Sequence, residues 1–79
     1  MKEVVIYSKP DCCLCDAALQ VLARVQSAFP FVLKKIDILT DKDLYDQFKD
    51  DIPVVYVQSK KAFKHRVDES KLVRMLRFS

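Results

Sequence analysis

Residues 5–19 read VIYSKPDCCLCDAAL, and this stretch decides the fold because a strand pattern and a helix pattern meet in it. The run before Pro10 is β-branched and aromatic, which predicts a short buried strand that the proline ends. From Cys13 to about Ser27 the apolar residues recur at helical spacing, which predicts an amphipathic helix. All three cysteines of the chain therefore lie at one strand-to-helix junction.

The rest of the chain continues this alternation of strand and helix patterns. Pro30 ends the first helix, and Thr40 with Asp43 three residues later fits a capping box that opens a second helix. Asp68 can cap a third helix. The predicted elements are strands at 3–7, 31–38, 53–57 and 62–65, helices at 13–27, 40–48 and 68–76, and a tight turn at 59–60. This order, β-α-β-α-β-β-α, predicts an α/β fold with one four-stranded mixed sheet and helices on both of its faces.

The length and composition describe one globular domain, residues 1–79, with a mild net charge of +3. The most basic stretch, residues 60–66, is interpreted as a solvated sheet edge rather than a nucleic-acid-binding surface. No apolar run reaches membrane-spanning length, and the first residues continue directly into a strand pattern rather than a signal peptide. We therefore expect a cytoplasmic monomer with no nucleic-acid or membrane partner. Because the chain has no glycine, a Gly-rich phosphate-binding loop is excluded.

The spacing of the cysteines favours a reactive pair over a structural disulfide framework, for which an odd, clustered set is unsuited. Cys12 and Cys15 are three residues apart and can approach each other on one helix face, whereas Cys13 points about 100° away from Cys12. Cys12 lies where the first helical amides have no intrahelical partner, which favours its thiolate. Lys9 acts in the same direction. We expect Cys12 to attack a substrate disulfide and Cys15 to resolve the mixed disulfide.

Other interpretations of the cysteines remain open at this point. They could be small buried side chains, which is common for reduced cysteine. A structural zinc ion needs four ligands, and the chain offers only the three thiols and His65, so we expect no metal site within one chain; a metal shared between two chains stays an alternative. Cys13 is interpreted as a partly buried helix residue, with an intermolecular disulfide as the alternative. His65 is interpreted as a solvated side chain on an edge strand.

The stretch VIYSKPDCCLCDAAL, followed by Asp51-Ile52-Pro53-Val54, a hairpin and a last helix, resembles the glutaredoxins of the thioredoxin-fold superfamily. It is similar above all to the glutaredoxin-like group with a C-x-L-C-D motif. The resemblance implies a thioredoxin-like, glutaredoxin-type fold and a Cys12/Cys15 dithiol. It also implies a cis bond between Ile52 and Pro53, which would leave the backbone of Ile52 free to pair with an extended thiol substrate.

The resemblance bears on glutathione as well. Lys9 matches the family lysine that pairs with a carboxylate of glutathione, and Asp68 falls near the acidic position that meets its amino group. The chain departs from the family where Leu14 replaces an aromatic residue, Asp51 replaces threonine, and His65-Arg66 replaces a Gly-Gly pair. The resemblance implies glutathione as a co-substrate, whereas these departures would crowd the ligand and place a negative charge near it, so both outcomes stay open. No bound cofactor is expected.

These observations predict a thiol–disulfide oxidoreductase that reduces protein or glutathione mixed disulfides through Cys12 and Cys15. The proposed substrate-binding residues are Lys9, Ile52, Pro53 and Asp68. The alternative is a non-catalytic thioredoxin-fold module that binds a partner, or shares a metal between chains, through its cysteines.

Overall fold

The computed structural model describes residues 2–78 and contains the strand and helix order that the sequence predicts. The strands are β1 (Glu3–Ser8), β2 (Val32–Asp37), β3 (Val54–Val57) and β4 (Lys60–Lys64), and the helices are α1 (Cys13–Ala28), α2 (Lys42–Phe48) and α3 (Glu69–Phe78). A short 3₁₀ turn at Ile38–Thr40 separates β2 from α2. No helix within this part of the chain is both long enough and apolar enough to cross a membrane.

The four strands form one sheet in the order β2-β1-β3-β4. β1 and β2 run parallel, as the crossover through α1 requires, while β1–β3 and β3–β4 are antiparallel. The prediction of a four-stranded mixed sheet is thus confirmed, and β4 with its lysines is an edge strand. The carboxyl end of β1 feeds directly into the cysteine segment, which places the thiols at one end of the sheet.

Two apolar clusters cover the two faces of the sheet, because successive side chains of a strand point in opposite directions. The larger cluster joins β1 and β3 to α1 and α3, and it contains Val4, Ile6, Ala18, Leu22, Val25, Phe31, Val55, Val57, Phe63, Leu72 and Leu76. The smaller cluster contains Phe48 of α2 and Val54 of β3, and the ring of Tyr7 stacks on Phe48 with 4.6 Å between centroids. Cys15 belongs to this smaller cluster, so one of the predicted reactive thiols lies in the core.

The start of α2 differs from the prediction. Thr40 is not the cap, because it lies in the 3₁₀ turn, where its hydroxyl donates to the Asp37 carbonyl at 2.7 Å. Asp41 is the N-cap instead: its carboxylate accepts from the amides of Asp43 at 2.8 Å and Leu44 at 3.4 Å. A carboxylate one residue later satisfies the same unpartnered helix amides that the threonine was expected to satisfy.

The predicted hairpin turn is wrong by one residue. Gln58 and Ser59, rather than Ser59 and Lys60, form the turn, and both have positive φ values of 53° and 69°. Two left-handed residues are what a two-residue hairpin loop needs to match the twist of its strands. The strand that follows accordingly begins at Lys60, two residues before the predicted Ala62. It ends at Lys64, and His65 leaves the sheet with φ 68°.

Candidate active site

Cys12 is the N-cap residue of α1, with the extended backbone angles φ −109° and ψ 107°. Its Sγ accepts a hydrogen bond from the backbone amide of Cys15 at 3.3 Å, in the position where a serine or aspartate oxygen commonly caps a helix. The sulfur is therefore directed at the positive end of the helix dipole. The amide of Cys15 and the start of α1 thus both face the Cys12 sulfur.

Cys15 lies one turn further along α1 and is 1% exposed. Burial, the side-chain hydrogen bond with Cys12, and the negative charges of Cys12 and Asp16 raise the pKa of Cys15 to about 11, against the opposing effect of a backbone hydrogen bond from Lys9. The Cys15 thiol is consequently protonated at neutral pH. The two sulfurs form an unequal pair. The Cys12 sulfur is partly exposed and accepts an amide hydrogen bond, whereas the Cys15 sulfur is buried, neutral and hydrogen-bonded to Cys12.

Cys13 points away from this pair and is exposed, so the expectation of a partly buried side chain is wrong. The reason is the helix period: the residue after the cap begins the first turn, and its side chain turns outward from the sheet. All three thiols are free in this structure.

The bond between Ile52 and Pro53 is cis, which confirms the expectation from the resemblance. Ile52 is buried and belongs to the same apolar cluster as Cys15, and Cys12 packs against this cluster. Its backbone is only partly free, however. The amide of Ile52 donates to the Phe48 carbonyl at 3.1 Å, beside the Asp51 amide at 2.9 Å, because the last carbonyls of α2 need donors. The Ile52 carbonyl accepts no hydrogen bond from residues 2–78.

His65 makes contacts that the sequence did not indicate. Its backbone amide donates to the carbonyls of Asp51 at 3.2 Å and Pro53 at 2.8 Å, and its Nε2 lies 3.0 Å from the Asp50 carbonyl. The imidazole is half exposed, as expected for a solvated side chain, and it also lies within hydrogen-bond distance of the loop before β3. The sequence did contain one indication of this contact, because Asp51 and His65 both depart from the family pattern. In the structure the His65 Nε2 lies 3.9 Å from the Asp51 Oδ1.

The predicted glutathione-binding residues lie in separate surroundings. Lys9 lines a small cavity of about 270 Å³ together with Ser8, Pro10, Lys35 and Asp37. Asp68 caps α3, since its carboxylate accepts from the Lys71 amide at 3.1 Å. Among the hydrogen bonds and ion pairs of residues 2–78, none joins Lys9 to Asp68.

A groove of about 360 Å³ lies between α1 and the β4–α3 loop. It is lined by Leu14, Ala17, Ala18, Val21, His65, Arg66 and Val67. Leu14, which is 42% exposed, precedes Cys15 in the sequence, but no cysteine lines the groove itself. Most of the lining side chains are apolar, and Arg66 adds one guanidinium. Within residues 2–78, no three His, Cys, Asp or Glu side chains converge as a metal site.

Comparison with solved structures defines the class of the fold. Protein Ne2328 from Nitrosomonas europaea superposes with a TM-score of 0.81 at 22% identity, covering 94% of this chain and 89% of that one. A malaria-parasite thioredoxin-2 structure superposes with a TM-score of 0.76 at 15% identity, covering 100% of this chain and 84% of that one. With the cis-proline loop beside a cysteine pair at a helix start, these likenesses define a thioredoxin-fold protein.

Sequence comparison narrows this class to a family. Residues 3–77 match the glutaredoxin-like domain (DUF836). A Dictyostelium discoideum protein described as a glutaredoxin-like protein YDR286C homolog is 39% identical over 72 residues, covering 84% of this chain and 67% of that protein. The chain belongs to the glutaredoxin-like domain family.

Proposed function

We propose that the protein is a thiol–disulfide oxidoreductase in which Cys12 is the nucleophile and Cys15 the resolving thiol. The observation that carries this proposal is the inequality of the two sulfurs: the Cys12 sulfur accepts a helix amide, while burial keeps Cys15 protonated. A nucleophile must be a thiolate, and a resolving thiol must not compete with it in the resting protein.

The reaction has two exchange steps. The Cys12 thiolate attacks a substrate disulfide, forming a Cys12–substrate disulfide and releasing one substrate sulfur as a thiolate, which takes a proton from water. Cys15 then loses its proton and attacks the Cys12 sulfur, so that a Cys12–Cys15 disulfide forms and the second substrate thiol leaves. Two electrons pass from the protein dithiol to the substrate disulfide. A low-molecular-weight thiol such as glutathione restores the dithiol by the reverse exchanges and is itself oxidised.

The substrate class is a protein disulfide or a glutathione mixed disulfide in the cytoplasm. The unbonded Ile52 carbonyl can accept one hydrogen bond from an amide of an extended substrate, in the manner of an added strand, with Pro53 holding the turn. The apolar groove beside Leu14 can receive a neighbouring substrate side chain. For glutathione, we propose that Lys9 pairs with a carboxylate and Asp68 with the amino group.

Trapping experiments test the assignment. Cys12→Ser should abolish disulfide reduction, whereas Cys15→Ser should accumulate a mixed disulfide on Cys12 that mass spectrometry identifies. Cys13→Ser is the matched control, because Cys13 is exposed and unpaired within the described residues, and it should retain activity. If oxidation of the native protein joins Cys13 rather than Cys12 to Cys15, the assignment is wrong. If native protein reduces no disulfide at all, the non-catalytic binding module becomes the better interpretation.

A further inference from the structure

His65 occupies a backbone conformation that most side chains avoid. Its φ of 68° is left-handed, and only a few per cent of residues other than glycine adopt this region, with histidine among the more tolerant. The residue follows β4 directly and faces the loop that leads into β3. A glycine would fit the backbone without hindrance, so the contacts of the imidazole are the feature that distinguishes His65 from the simplest solution.

Those contacts span both sides of Ile52. The His65 amide is shared between the carbonyls of Asp51 and Pro53, the residues immediately before and after Ile52. The imidazole Nε2 lies 3.0 Å from the carbonyl of Asp50. A carbonyl can only accept, so Nε2 carries a proton and donates. One residue therefore contacts three carbonyl acceptors of the loop, at positions 50, 51 and 53.

The end of α2 also holds this loop by hydrogen bonds. The amides of Asp51 and Ile52 both donate to the Phe48 carbonyl at the end of α2. The Ile52 carbonyl has no internal partner among residues 2–78, and its direction is set by these anchored neighbours. The Asp51 carboxylate, 3.9 Å from Nε2, can add an attraction to a protonated imidazole, but both side chains are solvent-exposed enough for this to be minor.

We propose that His65 is a positioning residue that fixes the Ile52 carbonyl for hydrogen bonding to a peptide substrate. This inference rests on the proposed function and adds a substrate preference. The His65 side chain strengthens binding of disulfides carried on a peptide backbone, because such a backbone has an amide to donate. It does not matter for small disulfides that lack one. His65 touches neither sulfur of the reactive pair among the contacts described and takes no part in the exchange chemistry.

Three substitutions separate the side-chain hydrogen bond from the backbone requirement. His65→Gln keeps a donor at a reach similar to Nε2, whereas His65→Met has a similar length and no donor. His65→Gly relaxes the left-handed backbone and removes the side chain. Each variant is assayed with two probes, a synthetic peptide containing one disulfide and bis(2-hydroxyethyl) disulfide, which has no amide.

We expect His65→Met and His65→Gly to raise KM for the peptide three- to tenfold with kcat unchanged, as the loss of one hydrogen bond implies. His65→Gln should remain within about twofold of the native value, and no variant should change the rate with bis(2-hydroxyethyl) disulfide. Equal loss on both probes, or unchanged KM in both Met and Gly variants, overturns the inference. If the methionine variant does not fold, the glycine and glutamine pair makes the same comparison.

Failure of this inference is distinguishable from failure of the proposed function. Native protein that reduces neither probe refutes the oxidoreductase itself. Native protein that reduces both, with a glycine variant indistinguishable from it on the peptide, refutes only the role of His65.

Discussion

Cys15 provides the most direct quantitative test of the site, because its pKa of about 11 lies about two units above the ordinary value of 9.0. Each unit changes the thiolate population tenfold. At pH 7 about 1 in 10,000 Cys15 side chains is ionised in the folded protein, against about 1 in 100 in the unfolded chain. Folding should thus lower the thiolate population of Cys15 about a hundredfold.

Pulsed alkylation with iodoacetamide measures this difference residue by residue. The three cysteines fall on one tryptic peptide, so fragmentation by mass spectrometry is needed to locate the label. The perturbation is pH, raised from 7 to 11 in native protein, with urea-unfolded protein as the reference for the same residue. Cys13, which is exposed, shows whether the native protein stays accessible to reagent at each pH.

The shape of the pH profile separates the pKa from simple shielding. Burial alone would slow alkylation of Cys15 by one factor at every pH. A raised pKa instead makes the rate climb about tenfold per unit until about pH 11, beyond the point near pH 9 where an ordinary thiol levels off. A Cys15 profile that levels off by pH 9 in the folded state would refute the argument, and with it the assignment of Cys15 as the suppressed partner.

Three further predictions concern stability. The folded state disfavours the Cys15 thiolate, so this contribution to the free energy of unfolding is complete below pH 9 and is lost as the pH rises toward 11. In urea unfolding, the native protein should lose about 3 kcal/mol over this range relative to Cys15→Ser. Parallel pH profiles of the two proteins would contradict this. Ser8→Ala should raise the free energy of unfolding by about 1 kcal/mol, because the buried Ser8 hydroxyl has no hydrogen-bond partner among the described residues, and a decrease would reveal one. Asp41→Ala should cost about 1 kcal/mol and Thr40→Ala distinctly less, whereas equal costs would argue against Asp41 as the cap.

The parts of the fold that follow from local patterns were predictable from the sequence. The strand before Pro10, the helix after Cys12 and the late hairpin each depend on the period of neighbouring apolar residues, and all three are present. The N-cap of α2 was misassigned because two adjacent residues, Thr40 and Asp41, both suit that position, and the choice depends on how β2 ends. Local sequence does not contain that information.

The contacts around the candidate site were harder to predict for a different reason. His65 reaches a carbonyl 15 residues earlier in the chain, and only the sheet register brings the two together. The amide of Ile52 was expected to be free, but its engagement by Phe48 depends on how the end of α2 turns into the loop. The cysteine spacing predicted the pairing of Cys12 with Cys15, while the difference between the two thiols depends on burial in a cluster that includes α2 and β3.

If the proposed mechanism holds, the contacts that raise the pKa of Cys15 change when Cys12 reacts. Two of the causes that raise its pKa, the hydrogen bond with Cys12 and the negative charge of Cys12, exist only while the Cys12 sulfur is reduced. Once Cys12 is part of a mixed disulfide, its sulfur carries no charge and is a poor acceptor, so both causes disappear. The backbone hydrogen bond from Lys9, which lowers the pKa of Cys15, remains. On the proposed mechanism, we therefore expect formation of the mixed disulfide to lower the pKa of Cys15, with burial still opposing this change, and to make its attack on Cys12 easier.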